Sequence, residues 1–198
     1  MPGLPLHRLA DLLAWWPLLL AVLLVLGWYL SYSAARLDRL HHRIESSRAA
    51  LDVQLVRRAV AAVEAVPLLD PATALLLADA ASSALTAGEQ RDAPGGIEPP
   101  PVAEDVENDL TRALHVAFED PAHVAELRAQ PLTGAALDTL AQACTRVQLA
   151  RRFHNDAVAQ ALRVRRKWIV RWARLAGHTP LPVMVEMDDS LPPGLVAL

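Results

Sequence analysis

Residues 12–30 read LLAWWPLLLAVLLVLGWYL, a run of 19 residues without a charged side chain. A helix rises about 1.5 Å per residue, so this run would span roughly 28 Å, close to the hydrocarbon thickness of a bilayer. Aromatic rings prefer the headgroup level of a membrane. They stand near both ends of the run, at Trp15, Trp16, Trp28, Tyr29 and Tyr32. The sequence therefore predicts one membrane-spanning helix from Leu12 to Leu30.

A cleaved signal peptide is the alternative interpretation of the same run. Arg8 precedes the apolar residues, and Ser33-Ala34-Ala35 is similar to a small-residue cleavage site. Signal cores usually run only about 7 to 15 residues, and they lack aromatic rings at both ends. We therefore favour an anchor that stays in the protein.

The flanking charges predict the orientation of this helix. Arg8 is the one strong base before the run, whereas four follow it within about 20 residues, where bases mark the cytoplasmic side. These four are Arg36, Arg39, Arg43 and Arg48. Moving them outward against the membrane potential is unfavourable. We expect a single-pass protein of the bacterial inner membrane, with its N-terminus outside and its C-terminal domain in the cytoplasm.

The composition of the whole chain narrows the class of protein. Its 198 residues are 53% apolar and 21% charged, with a formal net charge of -3. These values exclude a disordered polyelectrolyte and a net-basic nucleic-acid binder. Glycine occurs 8 times, which favours helices and leaves no glycine-rich phosphate loop. The solitary Cys144 excludes an intrachain disulfide and a cysteine-ligated zinc site, and it fits a reducing compartment.

Apolar spacing predicts helices after the membrane run. Residues 37–63 carry an amphipathic pattern, and no Gly or Pro interrupts the chain between Trp28 and Val66. The membrane helix is therefore expected to continue as one long helix until Pro67 ends it. A second helix should open at Asp70-Pro71 and stop at Gly88.

The second half of the chain is also expected to be helical. A Pro/Gly-rich loop over 88–103 precedes a third helix, which opens on acidic residues at Glu104 and breaks at Asp120-Pro121. A short continuation to Arg128 follows, and a last long helix is expected from near Thr133 to Leu175. The predicted fold class is all-α, with a transmembrane helix continuing into an antiparallel bundle of about four long helices.

Three regions follow from this organisation. Residues 1–33 form the N-terminal segment and anchor, residues 34–178 the cytoplasmic bundle, and residues 179–198 an extended or disordered tail that could serve as a partner-binding strand.

Two motifs resemble the signatures of the LemA family. Residues 52–58 read DVQLVRR just after a membrane anchor, and residues 151–158 read RRFHNDAV on the last long helix. With Glu45 and the anchor, the resemblance covers roughly residues 12–66 and 104–178. The chain departs from the family pattern at Ala61-Ala62, at His154 and over 163–172, which is typical of a divergent branch.

The resemblance implies an N-terminally anchored, antiparallel helical bundle with a cytoplasmic C-terminus. It implies no catalytic residues and no cofactor. LemA-like proteins are associated with membrane or envelope processes, and their genes often lie near those of membrane proteases, which suggests a membrane protease or another envelope protein as a partner.

The motif residues that are polar predict a network that fixes helix register. Asp52 and Gln54 of the first helix are expected to pack against the second motif, although solvated helix surface is the alternative. The predicted network comprises Asp52, Gln54, Arg57, Arg58, Arg151, Arg152, Asn155 and Asp156.

Charge is distributed unevenly along the chain. Residues 146–174 hold nine strong bases and one acid, a local charge of +8, whereas residues 88–128 hold ten acids and three bases, a local charge of -7. Helices that pair with each other would explain part of this asymmetry. A last helix antiparallel to the first would also bring its basic end back to the membrane, where anionic headgroups attract it. The predicted lipid-facing basic patch is Arg163, Arg165, Arg166, Lys167, Trp168, Arg171, Trp172 and Arg174.

No motif indicates catalysis or metal binding. The histidines at 41, 42, 115, 123, 154 and 178 form no metal-ligand spacing, and no nucleophile elbow occurs. We therefore predict a non-enzymatic envelope scaffold or adaptor that requires no cofactor, binds no nucleic acid and can form homo-oligomers. The alternatives are an accessory or regulatory subunit of a membrane protease, and an enzyme of unrecognised type.

Overall fold

The structure, a computed structural model, describes residues 6–92, 103–166 and 181–196. Every regular element in these ranges is helical, which confirms the predicted all-α class. The α-helices are α1 (Leu6–Ala65), α2 (Pro71–Asp92), α3 (Glu104–Ala117), α4 (Pro121–Arg128) and α5 (Pro131–Arg165). Short 3-10 turns cover Val66–Leu68 and Pro193–Leu195.

The helix ends follow local sequence signals in most places. α1 gives way to the 3-10 turn around Pro67, as predicted. The Asp70 carboxylate accepts hydrogen bonds from the Ala72 and Thr73 amides at 3.1 and 3.3 Å, so it caps α2. Asp120 caps α4 in the same way, through the Ala122 amide at 2.9 Å.

The expected helix stop at Gly88 was wrong, because α2 runs on to Asp92. A Cβ atom at Gly88 would lie 2.8 Å from the Val56 Cγ2 atom of α1. This glycine therefore allows α1 and α2 to approach closely, and does not end a helix.

Two predicted features lie partly outside the described residues. α5 begins at Pro131, two residues before the expected start, and is described as far as Arg165. Its expected continuation to Leu175 falls outside the described ranges, as does most of the loop over 88–103.

The chain divides into two compact units. One comprises Met1–His42 and Gln160–Pro182, and the other comprises Arg43–Ala159 and Val183–Leu198. The second unit contains two clusters of buried apolar side chains, the larger drawn from all five α-helices and the 3-10 turn at Leu195. The smaller cluster joins Leu51 and Leu55 of α1, Val147 of α5, and Val185 and Met187.

Helix directions in the second unit follow from paired contacts. Asp52 contacts Arg91 and Val56 contacts Gly88, so α1 and α2 run antiparallel. The Ser47 hydroxyl lies 3.2 Å from the His154 ring, while Leu51 and Leu55 pack with Val147, so α1 and α5 also run antiparallel.

The first unit contains the apolar half of α1. This part of α1 is long and apolar enough to span a membrane, with a mean hydropathy of 1.9 over 18 residues, of which 6% are buried. Its large side chains stand exposed, including Trp15, Trp16 and Trp28, while Tyr29 and Leu30 are half-buried. The Trp28 and Tyr32 rings stack with centroids 6.1 Å apart. Leu12 lies on the same helix.

Candidate functional site

A cluster of buried charges lies where α1, α2 and α3 meet. The Glu107 carboxylate of α3 is fully buried and accepts a hydrogen bond from Arg58 Nη2 of α1 at 2.7 Å. Its other oxygen lies 3.4 Å from Arg91 Nη2 of α2. One carboxylate therefore holds two guanidinium groups, and it links three helices through a single side chain.

Arg58 is anchored further by the backbone and side chains of α3. Its Nη1 atom donates to Thr111 Oγ1 at 3.0 Å, and its Nη2 atom also donates to the Glu107 carbonyl at 3.2 Å. A buried charge is stable only when it is paired and hydrogen-bonded. Arg58, of which only 2% is exposed, meets this requirement through Nη1 and Nη2, whereas its buried Nε atom has no hydrogen-bond partner among the described residues.

The cluster extends along α1 to a less buried edge. Arg91 Nε lies 3.4 Å from Asp52 Oδ1, close enough for an ion pair but without hydrogen-bond geometry. Asp52 also accepts a hydrogen bond from Arg48 Nε at 3.2 Å. The cluster from Arg48 to Glu107 therefore contains three cations and two anions.

A second feature is the groove that holds the segment over residues 183–196, which we call the tail segment. On one side, side chains of α3 bind its backbone. The Glu104 and Asn108 side-chain oxygens accept from the Glu186 and Asp188 amides at 2.9 and 2.7 Å. The Thr111 hydroxyl lies 2.8 Å from the Asp188 carbonyl.

Side chains of α5 bind the tail segment from the other side. The Asn155 amide donates to the Val185 carbonyl at 3.0 Å and accepts from the Val185 amide at 2.9 Å. Gln148 donates to the Asp189 carbonyl at 2.6 Å. Arg151 makes a bidentate ion pair with the Asp189 carboxylate at 2.6 and 2.9 Å.

We call this set of α3 and α5 side chains the tail groove. Its members are Glu104, Asn108, Thr111 and His115 of α3, and Gln148, Arg151 and Asn155 of α5. They bind mainly the backbone of the peptide, as the edge of a sheet would, although the described ranges contain no strand.

The side chains of the tail segment alternate between the core and solvent. Val185 and Met187 are buried, whereas Glu186 and Asp188 are exposed. This period of two is typical of an extended strand. Further along, Leu195 is buried in the larger core cluster.

A backbone contact fixes the end of this segment. The Gly194 amide donates to the Phe118 carbonyl at 3.0 Å. A Cβ atom at Gly194 would lie 2.7 Å from that carbonyl oxygen and 2.5 Å from Val124 Cγ2. Only glycine allows this close approach.

Three titratable groups around these features have shifted pKa values. Burial lowers the pKa of His154, and the Arg48 charge lowers it further, against hydrogen bonding to Val183 and the charge of Asp52. Burial raises the pKa of Cys144 to about 11, so the thiol is protonated at neutral pH and is a poor nucleophile. Hydrogen bonds from Ser190 lower the pKa of Asp188.

The structure gives the predicted network residues other partners than those expected. Asp52 and Arg58 belong to the buried charge cluster, and Arg151 and Asn155 belong to the tail groove. The buried Gln54 Oε1 atom has no hydrogen-bond partner among the described residues. The remaining three, Arg57, Arg152 and Asp156, are exposed.

The predicted basic patch is described only in part. Arg163 and Arg165 lie in the last turn of α5, and Arg166 follows it. Lys167, Trp168, Arg171, Trp172 and Arg174 lie outside the described residues. In the described part of the chain, no group of three or more His, Cys, Asp or Glu residues is placed to bind a metal ion.

Glu107, Arg91 and the binding of the tail segment within its own chain were not predicted from the sequence. A signal for Glu107 was present, because it stands on the same helical face as Leu110 and Leu114, which are buried. Arg58 likewise shares a buried face with Leu51 and Leu55. Charged residues on an apolar face predict a buried pair, since an unpaired charge there would be too costly.

Comparisons with known proteins provide no further guide to this arrangement. No protein-family model, curated protein or solved structure matches the chain.

Proposed function

We propose that this protein is a LemA-like, single-pass membrane protein whose helical domain acts as a non-enzymatic adaptor at the bacterial inner membrane. In this proposal the apolar half of α1 spans the bilayer, and the unit that contains the buried charge cluster lies in the cytoplasm. The role of the domain is to contact other protein chains.

The exposure of the apolar run is the observation that carries the proposal. Leu24 of α1 is 67% exposed and Val25 is 65% exposed, in a run of similar side chains. A soluble protein rarely exposes so large a continuous apolar surface to water. Lipid would cover it, and the aromatic rings near its ends suit the two headgroup layers.

The helical domain offers features that suit protein contacts. Leu149 and Phe153 are exposed at 47% and 63%, one turn apart on α5. The tail groove binds an extended peptide through side chains, which is a common means of recognising protein segments. The thiol of Cys144 is buried and protonated, so it supplies no nucleophile for an enzymatic alternative.

Site-specific crosslinking in intact membranes tests the adaptor role. A photoreactive amino acid at Phe153 should yield discrete adducts, which mass spectrometry then identifies as this chain, a membrane protease or another envelope protein. The matched control carries the same group at Asp109, an exposed position of α3 in an ion pair with Arg112. Equal, diffuse labelling from both positions would contradict an adaptor that uses this face.

The orientation is tested separately. Protease added to spheroplasts should leave the helical domain intact and digest it only after the membrane is opened. Digestion from outside would contradict a cytoplasmic domain.

A further inference from the structure

We propose that the groove between α4 and α5 binds a fatty acid, that is, a carboxylate attached to an apolar chain. This groove, which we call the α4–α5 groove, has a volume of about 790 Å³. Sites for small molecules typically have volumes of about 300–1,000 Å³. The inference goes beyond the proposed function, because it assigns a small ligand to the helical domain. It does not depend on the anchor, since every lining residue belongs to the second compact unit.

Two glycines position the walls of the α4–α5 groove. A Cβ atom at Gly134 would lie 2.5 Å from the Arg128 carbonyl oxygen, so the first turn of α5 packs closely against the end of α4. A Cβ atom at Gly194 would lie 2.5 Å from the Val124 Cγ2 atom, so the 3-10 turn over Pro193–Leu195 also approaches α4 closely. The groove is therefore bounded by α4, α5 and the end of the tail segment.

The inner surface of the groove is mostly apolar. Leu195 is buried in the larger core cluster, and Leu191 and Ala141 are half-buried against it. Ala125 and Ala129 are exposed and short, so they leave space beside these side chains. An apolar chain lying here would be removed from water together with the surface that it covers, which is favourable.

The polar residues of the groove carry an excess of positive charge. Arg128 Nε lies 3.1 Å from Asp138 Oδ1, and the Nη1 and Nη2 atoms of Arg128 have no hydrogen-bond partner among the described residues. Arg146 is exposed and makes no ion pair within the described ranges. Two guanidinium groups therefore face one carboxylate, a net charge of +1. Gln142 and Thr145 complete the polar lining.

This charge favours a ligand with a single negative charge. A guanidinium group binds a carboxylate through two parallel hydrogen bonds, as Arg151 binds Asp189 at 2.6 and 2.9 Å in the same chain. A phosphate monoester carries about −1.5 to −2 charges at neutral pH, which exceeds the net charge of the lining. A carboxylate carries one. Arg146 beside an apolar surface therefore fits the carboxylate of a fatty acid.

Photolabelling of the full chain in a neutral detergent tests the proposal. The probe is dodecanoate that carries a diazirine group in its chain. After illumination, mass spectrometry should find adducts within residues 125–129 and 141–146, which line the groove. Unmodified dodecanoate should prevent these adducts, whereas dodecanol, which has the same chain and no charge, should not. Adducts confined to the apolar half of α1 would overturn the proposal, because the probe would then enter only the detergent around that helix.

Replacing Arg146 by Gln tests the role of its charge. Adducts within the groove should fall by at least about tenfold, because a hydrogen bond to a charged group contributes about this factor to binding. The matched control is Arg152→Gln, since Arg152 is also exposed on α5 and does not line the groove. Equal labelling of the two variants would overturn the proposal.

A second variant tests the space in the groove without changing its charge. Ala125 is exposed on α4, so Ala125→Trp should fill part of the groove while the helices stay folded. Labelling should again fall, and labelling equal to that of the native chain would overturn the proposal. Circular dichroism of each variant checks that its helices are retained.

Competition by dodecyl phosphate distinguishes the two acidic groups. It should compete less well than dodecanoate, because its charge exceeds that of the lining. Stronger competition by dodecyl phosphate would overturn the assignment to a carboxylate.

Discussion

The Glu107 side chain joins α1, α2 and α3 through one carboxylate. Its carboxylate is fully buried and forms ion pairs with both Arg58 and Arg91, so it compensates part of their positive charge. Assembling such a cluster gains little net stability, because each charge must first lose its water. Removing one member is far more costly, because the remaining charges stay buried without a partner.

Replacing Glu107 by Gln keeps the shape of the side chain and removes its charge. We expect the free energy of unfolding to fall by about 3–5 kcal/mol. For a chain of this size, such a loss lowers the melting temperature by at least about 6 °C, measured by circular dichroism in detergent. Asp109→Asn is the control, because its ion pair with Arg112 is exposed and is worth about 0.5 kcal/mol at most. Equal melting temperatures for both variants would contradict the buried cluster.

The buried thiol of Cys144 provides a probe of whether the core around it is folded. At pH 8 a thiol whose pKa is about 11 is ionised in about one molecule in a thousand, and only 4% of the residue is exposed. The native protein should therefore resist iodoacetamide and react fully in denaturant, as followed by mass spectrometry. Rapid, stoichiometric labelling of the native chain would show that this part of the core is open.

His154 should make stability depend on pH. Its pKa in the folded protein lies below the ordinary value of 6.5, chiefly because of burial, and the charge of Arg48 adds to the effect. Below pH 6.5 the unfolded chain binds the proton more readily than the folded chain, so stability is fully present above this pH and is lost as the pH falls toward the folded pKa.

Melting temperatures measured as a function of pH test this sign. His154→Gln should flatten the fall in stability below pH 6.5 relative to the native chain. A variant at His154 that retains the full acid dependence would assign the effect to other groups.

At the scale of elements, the tail segment is held as an extra layer of the helical unit. Asn155 is the side chain that binds both polar groups of Val185, and its loss would leave them without partners. Unpaired polar groups at a half-buried site cost about 1–3 kcal/mol. The tail segment should then open more often while the helices stay folded.

Amide hydrogen exchange at Val185 tests the docking of this segment. Asn155→Ala should speed exchange there by about tenfold or more, because 1.4 kcal/mol corresponds to a factor of ten. The control is Asp156→Ala, a change at the exposed residue next to Asn155, which should leave the exchange rate of Val185 unchanged. If Val185 exchanges equally fast in both variants and in the native chain, the side-chain contacts do not hold the segment.

Across the whole molecule, the sequence predicted where the helices begin and end better than it predicted which helices contact each other. Pro67, Asp70 and Asp120 act within one helical turn, so the sequence alone located the helix ends that they set. A glycine such as Gly88 can either end a helix or allow two helices to pack closely. Only the position of Val56 in the structure shows that close packing is its role here.

The long-range contacts could not be read from the sequence in the same way. Arg58 and Glu107 are 49 residues apart, and Glu104 and Glu186 are 82 apart. Spacing identifies a charged residue on an apolar face, but it does not choose between several possible partners. The docking of the tail segment was the most difficult contact to predict. Most of its hydrogen bonds are made by backbone groups, which every sequence carries, and no recognisable motif marks them.

Retention in a membrane through the apolar half of α1 can be measured directly. Leu20 and Leu24 are exposed on the apolar half of α1, one turn apart. Replacing both by Arg places two charges in the span, at a cost of about 2.5–3.5 kcal/mol each near the centre of a helix. Replacing both by Ala is the control, because it retains an uncharged run.

Membranes from cells that express each variant are washed with alkaline carbonate, and the chain that remains in the pellet is measured. We expect the native and double-Ala chains to stay in the pellet, whereas the double-Arg chain is released into the supernatant. Release of the native chain, or a mature product that begins near residue 36, would contradict an anchor that stays in the protein.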